Sequence, residues 1–254
     1  MGQNWPRRLW LVRHGQSQGN VARDAADEAG AHEIDIDMRD VDVPLSDLGF
    51  KQAEAAGRWF ASLPRDERPE IILASPYIRA KQTAEITCKQ GALTGGPART
   101  IIDERLRERE FGIFDRLTTI GIRERFPEEA AHRRRLGKFY HRPPGGESWA
   151  DVILRLRSML NTINLQYCDK RIVVVCHQVV VLCFRYILEG LDEAQILNID
   201  REAEILNCGI CAYDFDSDPE GVCMPELAVW NYGAPLETEG APKTSAPDAM
   251  AGTR

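Results

Sequence analysis

Two short apolar segments that each end on a histidine limit the fold of this 254-residue chain more than any other feature. Residues Arg8–Arg13 (RLWLVR) lead directly into His14, and residues Arg171–Cys176 (RIVVVC) lead directly into His177. Short apolar runs of this kind are typical of buried strands. Ligands of open α/β sheets bind at the carboxyl ends of the strands, so neighbouring strands would bring the two imidazoles together. Packing alone does not require Arg13 and His14 at the end of a buried strand, and we therefore expect a chemical role for them.

The rest of the chain alternates between strand and helix patterns. Helices are predicted from Ser46 to Leu63, from Ser75-Pro76 toward Thr87, and behind a capping box formed by Ser148 and Asp151. Further β-rich runs lie at Ile71–Ala74, Thr100–Ile102, Ile205–Phe215 and Glu226–Trp230. This alternation predicts an α/β fold with three layers, in which helices cover both faces of a mostly parallel central sheet. The last two strands have no convincing helix between them, which predicts an antiparallel edge.

Composition suggests where the domain ends. We expect one domain over residues 1–232 and a disordered tail over residues 233–254, which are rich in Ala, Pro, Gly and Thr. Residues 21–43 are rich in Asp and Glu and are expected to form an acidic insertion, a loop beside Arg13 and His14.

Charge and hydropathy narrow the classes of partner. The formal net charge of −7 argues against a nucleic-acid partner, for which a basic domain is expected. Apolar runs stay well below the ~18 residues of a membrane-spanning helix. The first residues lack the pattern of a secretory signal. These observations favour a cytoplasmic protein with no membrane partner.

Arg79 is a further candidate site residue, and its guanidinium carries a fixed positive charge. It falls in the first turn of the helix that follows Ser75-Pro76, where the helix dipole disfavours a cation by ~0.3–1 kcal/mol. A bound anion would reverse that effect, because helix N-termini attract phosphate. Together with Arg13 and the two histidines, Arg79 suits a phosphoryl group, which guanidinium groups bind through two parallel hydrogen bonds.

The chain also resembles the histidine phosphatase superfamily, the phosphoglycerate-mutase-like enzymes, over about residues 8 to 216. Lys138–Ser148 and the sequence Cys-His-Gln-Val from Cys176 are in addition similar to the fructose-2,6-bisphosphatase branch. The matching segments occur in family order: Leu11–Ser17 (LVRHGQS) with Asn20, Pro44–Gly49, Ser75–Ala84, Asp103–Arg109 followed by Phe111-Gly112, Gly145–Ser148 and Val173–His177.

This resemblance implies a role for individual residues. His14 would be the nucleophile that forms a phosphohistidine, and Glu108 would be the general acid and then the general base. Only its place in the motif separates Glu108 from Glu104 and Glu110. The phosphoryl oxygens would be held by Arg13, Asn20, Arg79 and His177, and further substrate contacts are expected from Arg109, Arg134 and Lys138. The family chemistry needs no cofactor and no metal, because arginines do the work that Mg²⁺ does in many phosphoryl transferases.

Several alternatives stay open on sequence alone. A cofactor-dependent phosphoglycerate mutase shares these residues, but the stretch after Arg109 lacks the mutase-like G-x-L-Q-G-x-x-K run, which favours hydrolysis. Gly15–Gly19 matches the G-x-S-x-G motif of serine esterases, with Ser17 as its nucleophile. A member that binds phosphorylated ligands without turnover is a third class, although neither His14 nor Glu108 is lost. We expect a phosphomonoester substrate such as a small phosphorylated metabolite, and we allow for a homodimer.

Overall fold

A computed structural model describes residues 5–91, 100–202, 204–217, 223–238 and 240–245 of the chain. Single turns of 3₁₀ helix occur at Asp40–Asp42, Glu104–Leu106 and Gly112–Phe114. The strands and longer helices of these residues are, in order, β1 (Arg8–Arg13), α1 (Gln18–Glu28), α2 (Asp47–Ser62), β2 (Ile71–Ala74), α3 (Ile78–Gly91), β3 (Thr100–Ile102), α4 (Thr119–Arg125), α5 (Pro127–Tyr140), α6 (Trp149–Gln166), β4 (Arg171–Cys176), α7 (Gln178–Leu188), α8 (Glu193–Glu202), β5 (Ile210–Ser217), β6 (Cys223–Tyr232) and α9 (Ala234–Thr238).

The six strands form one sheet in the order β3-β2-β4-β1-β5-β6. Strands β3, β2, β4 and β1 run parallel, whereas β5 is antiparallel to β1 and β6 is antiparallel to β5. The predicted mostly parallel sheet with an antiparallel edge is confirmed. Strands β1 and β4 are neighbours, and their register pairs Arg13 with Cys176.

Successive side chains of the central strands point to opposite faces of the sheet, and they belong to two separate buried cores. Leu9 and Leu11 belong to the core that also contains the apolar stripes of α6 and α7. Trp10 and Val12 point to the other face, where the core includes Phe60 of α2 and residues of α3. Helices therefore cover both faces of the sheet, as predicted.

Most of the predicted elements are confirmed, whereas some boundaries are wrong, among them those of β6, which extends over Cys223–Tyr232 and not only Glu226–Trp230. Ser46 caps α2, and Ser148 and Asp151 form the predicted capping box of α6. Helix α3 begins only at Ile78, because the Ser75 hydroxyl accepts a hydrogen bond from the nearby Tyr77 amide in a local turn. Strand β5 begins at Ile210 and not at residue 205.

The acidic insertion is not a continuous loop. Its first part belongs to α1, whose N-terminus is capped by Ser17. An irregular stretch follows and ends in the 3₁₀ turn at Asp40–Asp42. The second part crosses the candidate site described below.

The predicted disorder of the C-terminal tail is wrong for the part that the structure describes. Helix α9 packs against α2, and Leu236 is fully buried beside the alanines of that helix. Further along, the Thr244 carbonyl accepts a hydrogen bond of 2.8 Å from the Asn207 amide. Composition missed this because one apolar anchor and a few backbone hydrogen bonds are enough to order a polar segment. Residues 239 and 246–254 of the predicted tail lie outside the described residues.

Over the described ranges, the helices are all too short or too polar to cross a lipid bilayer.

Candidate active site

The ends of β1 and β4 bring two histidines into contact. The rings of His14 and His177 lie 5.1 Å apart between centroids, and both side chains are buried. The His14 amide continues the parallel ladder by donating to the Cys176 carbonyl at 2.9 Å. The predicted convergence of the two imidazoles is therefore a direct consequence of strand order.

Hydrogen bonds set the orientation of the His14 ring. Its Nδ1 lies 2.7 Å from the Gly15 carbonyl oxygen, which can only accept, so Nδ1 carries the proton. The other nitrogen, Nε2, accepts from the Nε–H of Arg79 at 3.3 Å and keeps its lone pair. Burial lowers the pKa of His14 well below its usual value, and the nearby Arg79 and Arg13 lower it further. A neutral imidazole whose Nε2 carries no proton is the form that a nucleophile needs.

Close backbone packing holds His14 in place. A Cβ atom on Gly15 would lie 2.6 Å from the Gly49 carbonyl oxygen at the start of α2, so a larger residue would push the two segments apart. On the other side, the Asn207 side-chain amide donates to the His14 carbonyl at 3.1 Å. Asn207 is itself held by Thr244, whose hydroxyl donates to the Asn207 Oδ1 at 2.9 Å. The ordered part of the C-terminal segment thus supports the backbone of the candidate nucleophile.

Two arginines supply fixed positive charge beside His14. Arg79 lies in the first turn of α3, as predicted, and its guanidinium is almost fully buried. Arg13 is also buried and donates to the Ile205 carbonyl. Burial lowers the pKa of Arg13 to about 10, against an opposing contribution from Glu108. Arg13 therefore still carries its charge at neutral pH.

Asp40 is the main partner of Arg79. Its carboxylate accepts from both terminal nitrogens of the guanidinium, at 2.9 Å and 3.1 Å, and its backbone carbonyl accepts at 2.6 Å. The carboxylate thus makes the paired contact that a phosphoryl group would make with the same fork. The acidic insertion reaches the site through this residue.

His177 lies below this cation pair. Its Nε2 is 2.8 Å from the Ser75 hydroxyl at the end of β2, and its Nδ1 is 3.9 Å from the Glu108 carboxylate. Burial lowers the pKa of His177 well below its usual value, and Arg79 adds to the effect. Three neighbouring strands therefore contribute to the site at one edge of the sheet.

Glu108 sits in a loop that α6 holds in position. Arg155 of α6 donates to the backbone carbonyls of Arg105 and Glu108, at 2.6 Å and 3.3 Å. Glu147 pairs with Arg155 at 3.0 Å and accepts from the Glu110 amide at 3.1 Å. These hydrogen bonds and this ion pair hold the loop in the position that places Glu108 near His177.

Ser17 has a structural role that accounts for its place in the G-x-S-x-G pattern. Its hydroxyl accepts from the Asn20 amide at 3.1 Å, and the Asn20 side-chain oxygen accepts from the Ser17 amide at 2.9 Å. This is a capping box at the start of α1. The capping box also places Asn20 at the wall of the cavity.

A cavity of about 130 Å³ opens above His14. The predicted site residues that line it are Arg13, His14, Asn20, Arg79 and Glu108. His177 is fully buried beneath it and contacts the ring of His14.

Three predicted substrate-binding residues do not line this cavity. Arg109 is fully buried, with its guanidinium 4.9 Å from the ring centre of Phe111. Lys138 pairs with Asp200 at 2.7 Å, and Arg134 is exposed on α5. Their positions correct the expectation of direct substrate contact, because helix α5 directs its basic residues elsewhere and Arg109 supports the wall from behind.

Sequence reasoning missed several residues of the site. Asp40 and Gln178 line the cavity, and Ser75 contacts His177 beneath it. Arg155 and Glu147 hold the loop that carries Glu108. Gln178 was visible as a departure from the family glycine after His177, and Ser75 as a polar residue at the end of a strand. Nothing in the sequence pattern separated Asp40 from its acidic neighbours.

Among the residues that the structure describes, one group of side chains outside the cavity could hold a metal ion. Atoms of Glu129, His132 and His141 that could serve as ligands lie within 4.8 Å of one another. His141 is fully buried, and burial lowers its pKa. This group is separate from the cavity above His14.

Comparison with known proteins places the chain in a family. The model of the histidine phosphatase superfamily (branch 1) matches residues 9–223, and the chain belongs to that superfamily. A 2,3-bisphosphoglycerate-dependent phosphoglycerate mutase of Methylobacterium radiotolerans is 31% identical over 194 residues, which cover 75% of this chain and 82% of that protein. A probable fructose-2,6-bisphosphatase of Schizosaccharomyces pombe is 28% identical over 226 residues, which cover 88% of this chain and 48% of that protein.

Solved structures agree with the fold. A mycobacterial glucosyl-3-phosphoglycerate phosphatase in complex with VO3 superimposes with a TM-score of 0.64 at 25% identity, covering 89% of this chain and 99% of the other. The chain spans only 41% of the length of the first curated relatives that it matches, which are mycobacterial proteins. The similar proteins named above include a phosphoglycerate mutase and two phosphatases.

Proposed function

We propose that this protein is a metal-independent phosphomonoesterase that uses His14 as its nucleophile. The observation that carries the proposal is the state of that side chain: a buried, neutral imidazole whose Nε2 faces Arg79 at the carboxyl end of β1. Membership of the histidine phosphatase superfamily supports the same chemistry.

The reaction divides into two displacements. In the first, the Nε2 lone pair of His14 attacks phosphorus, and the bond to the ester oxygen breaks as Glu108 gives that oxygen a proton. In the second, Glu108 takes a proton from water, whose oxygen attacks phosphorus and breaks the N–P bond, which releases phosphate. Arg13, Asn20 and Arg79 line the cavity and hold the non-bridging oxygens, so that the negative charge does not repel the attack. His177 is buried beneath the cavity against the His14 ring, and its direct contact with the phosphoryl group stays a prediction.

A phosphoglycerate mutase is the second candidate, because a mutase is among the relatives. It would use the same residues and return the phosphoryl group to a substrate hydroxyl instead of water. The segment after Arg109 in this chain supports hydrolysis, because it lacks the mutase-like run. Ser17 supports no esterase, since its hydroxyl is committed to the cap of α1.

The setting of the activity follows from the same observations. We expect a small phosphorylated substrate, a location in the cytoplasm and no nucleic-acid partner, given the net charge of −7. The predicted homodimer stays a prediction.

The decisive experiment replaces the nucleophile. His14→Ala should lower kcat on a general phosphomonoester by on the order of 10⁴-fold or more, as removal of a covalent nucleophile does in other enzymes. The wild-type protein, quenched during turnover, should carry acid-labile phosphate that the variant lacks. His132→Ala, at an exposed histidine outside the cavity, is the matched control and should keep full activity. Turnover by His14→Ala at the wild-type rate would overturn the mechanism.

A further inference from the structure

The acidic insertion contributes an apolar wall to the cavity. Residues 33–38 read Glu-Ile-Asp-Ile-Asp-Met, and the structure separates the two kinds of side chain. The acidic residues of this stretch are exposed, whereas Ile34, Ile36 and the partly exposed Met38 line the cavity. The alternation is one residue in two, but the stretch is not a regular strand, since the Ile36 amide donates to the Ile34 carbonyl at 2.9 Å in a tight turn at Asp35. The acidic character of the segment therefore belongs to its outer surface.

Hydrogen bonds fix this segment to the opposite wall. The Ile34 amide donates to the Arg116 carbonyl at 2.8 Å, and the Arg116 guanidinium donates to the Ile36 carbonyl at 2.9 Å. The Thr118 amide donates to the His32 carbonyl at 3.1 Å. The inward direction of the apolar side chains is thus set by backbone contacts.

The walls above the phosphate-binding residues combine apolar and polar side chains. The apolar ones are Ile34, Ile36, Met38, Val43, Phe111 and Phe114, and the uncharged polar ones are Ser17 and Gln178. Charged side chains at the wall balance in sign, since two arginines (Arg23 and Arg116) face two aspartates (Asp40 and Asp115). The basic residues Arg134 and Lys138 do not reach the cavity. A second phosphate or a carboxylate on the substrate would therefore find no excess of positive charge.

A hydroxyl-rich group is a poor match for the apolar part of these walls, where a hydroxyl finds no hydrogen-bond partner. Each hydroxyl that leaves water without a new hydrogen-bond partner costs roughly 1–3 kcal/mol. An apolar group gains roughly 25 cal/mol for each Å² that it removes from water. The walls consequently favour one chemical class among phosphomonoesters.

We propose that the preferred substrate is a phosphomonoester whose alcohol carries one compact apolar group, about the size of a single ring. This inference rests on the proposed phosphatase function and names the substrate class of that site. The size follows from the volume, because a cavity of about 130 Å³ must hold the phosphoryl group and the beginning of the alcohol. Engineered apolar cavities of about 150 Å³ bind benzene, so a cavity of about 130 Å³ that also holds the phosphoryl group makes a single ring the upper limit for the apolar group.

The first test compares two esters with the same ring. Cyclohexyl phosphate and myo-inositol 1-phosphate both release a secondary alcohol from a six-membered carbon ring, and they differ in the ring hydroxyls. We expect kcat/KM to be at least tenfold higher for cyclohexyl phosphate. Equal values, or a preference for the inositol ester, would overturn the substrate class.

A pair of variants ties that preference to the wall. Met38→Gln keeps the length of the side chain and adds an amide, so it should lower kcat/KM for cyclohexyl phosphate three- to tenfold and leave the inositol ester within twofold. Met38→Leu stays apolar and should keep the preference. Leu154→Gln makes a similar change on the exposed face of α6 and should alter neither value. An unchanged preference in Met38→Gln would overturn the role of this wall.

The same assays separate the two proposals. Acid-labile phosphate on His14 with no preference for the apolar ester would overturn the substrate class alone. Absence of both turnover and acid-labile phosphate with either ester would overturn the phosphatase function on which it rests.

Discussion

The floor and the walls of the cavity are built in different ways. The floor consists of residues at the ends of β1 and β4, and the parallel register that pairs Arg13 with Cys176 places His14 beside His177. The walls consist of irregular segments, residues 33–38 and residues 111–118, which a few backbone hydrogen bonds hold together. Regular structure thus fixes the atoms that react, whereas irregular structure decides what can reach them. Substitutions in the two regions should therefore have different signatures.

The largest effect is expected from the packing that supports the floor. Leu236 of α9 is fully buried against α2, and the segment after it holds Asn207, which in turn holds the His14 carbonyl. Leu236→Ala should lower the free energy of unfolding by about 3 kcal/mol, as expected when a buried leucine leaves a cavity. Denaturation by urea measures the change.

Leu165→Ala provides the control for this prediction, because Leu165 is 80% exposed on α6. It should change the free energy of unfolding by less than about 0.5 kcal/mol, the usual range for surface positions. Equal stability of the wild type and Leu236→Ala would show that α9 does not support the floor.

The floor could be predicted from sequence because its residues follow regular elements. His14 and His177 each come directly after an apolar run, and Arg79 falls in the first turn of a helix, so their positions follow from counting residues along strands and helices. The walls could not be predicted in this way. Asp40 reaches Arg79 from a stretch without repeating structure, and its acidic neighbours look the same in the sequence. The alternation of residues 33–38 was visible, but composition drew attention to their charge and not to the apolar residues between the charges.

Glu108 could be predicted from the sequence only in part. Its motif identified it, but only the structure shows that Arg155 and Glu147 hold its loop. These contacts join residues some forty to fifty positions apart, and no local pattern encodes such a pairing. The same limit explains the error in the tail, where one buried leucine outweighs a composition that is typical of disorder.

The second prediction concerns this support of Glu108. Arg155→Met keeps much of the volume and removes the hydrogen bonds to the Arg105 and Glu108 carbonyls. Because the general acid would then be misplaced, kcat for an alkyl phosphate should fall on the order of 10- to 100-fold, within the 10²–10⁴-fold that such catalysis contributes. The value of KM should change little. Steady-state kinetics on cyclohexyl phosphate measures both.

Two esters with different leaving groups distinguish a misplaced Glu108 from a general loss of activity in Arg155→Met. p-Nitrophenyl phosphate releases a stable phenolate that needs no proton in the first step, so Arg155→Met should keep kcat/KM for this ester, which reports phosphoryl transfer to His14, near the wild-type value. Arg157→Met, on the exposed side of the same helix, should leave both substrates unaffected. Equal losses of kcat/KM on the alkyl and nitrophenyl esters would contradict a positioning role for Arg155.

The smallest expected effect lies where wall and floor meet, at Asp40. An arginine has five N–H donors, and the hydrogen bonds described for Arg79 direct one to His14 and three to Asp40. A phosphoryl group can therefore obtain a paired contact with Arg79 only if the Asp40 carboxylate moves away. Its negative charge also opposes a phosphate dianion at the same place.

Asp40→Asn should accordingly tighten binding of inorganic phosphate or vanadate three- to tenfold, measured as a lower inhibition constant, because a neutral amide competes less well for the guanidinium. Asp42→Asn removes the same charge two residues away, where the carboxylate pairs with Arg39, and should leave the inhibition constant within twofold. Weaker phosphate binding in Asp40→Asn would mean that the carboxylate orients Arg79 for the substrate, and Asp40 would then belong functionally to the floor.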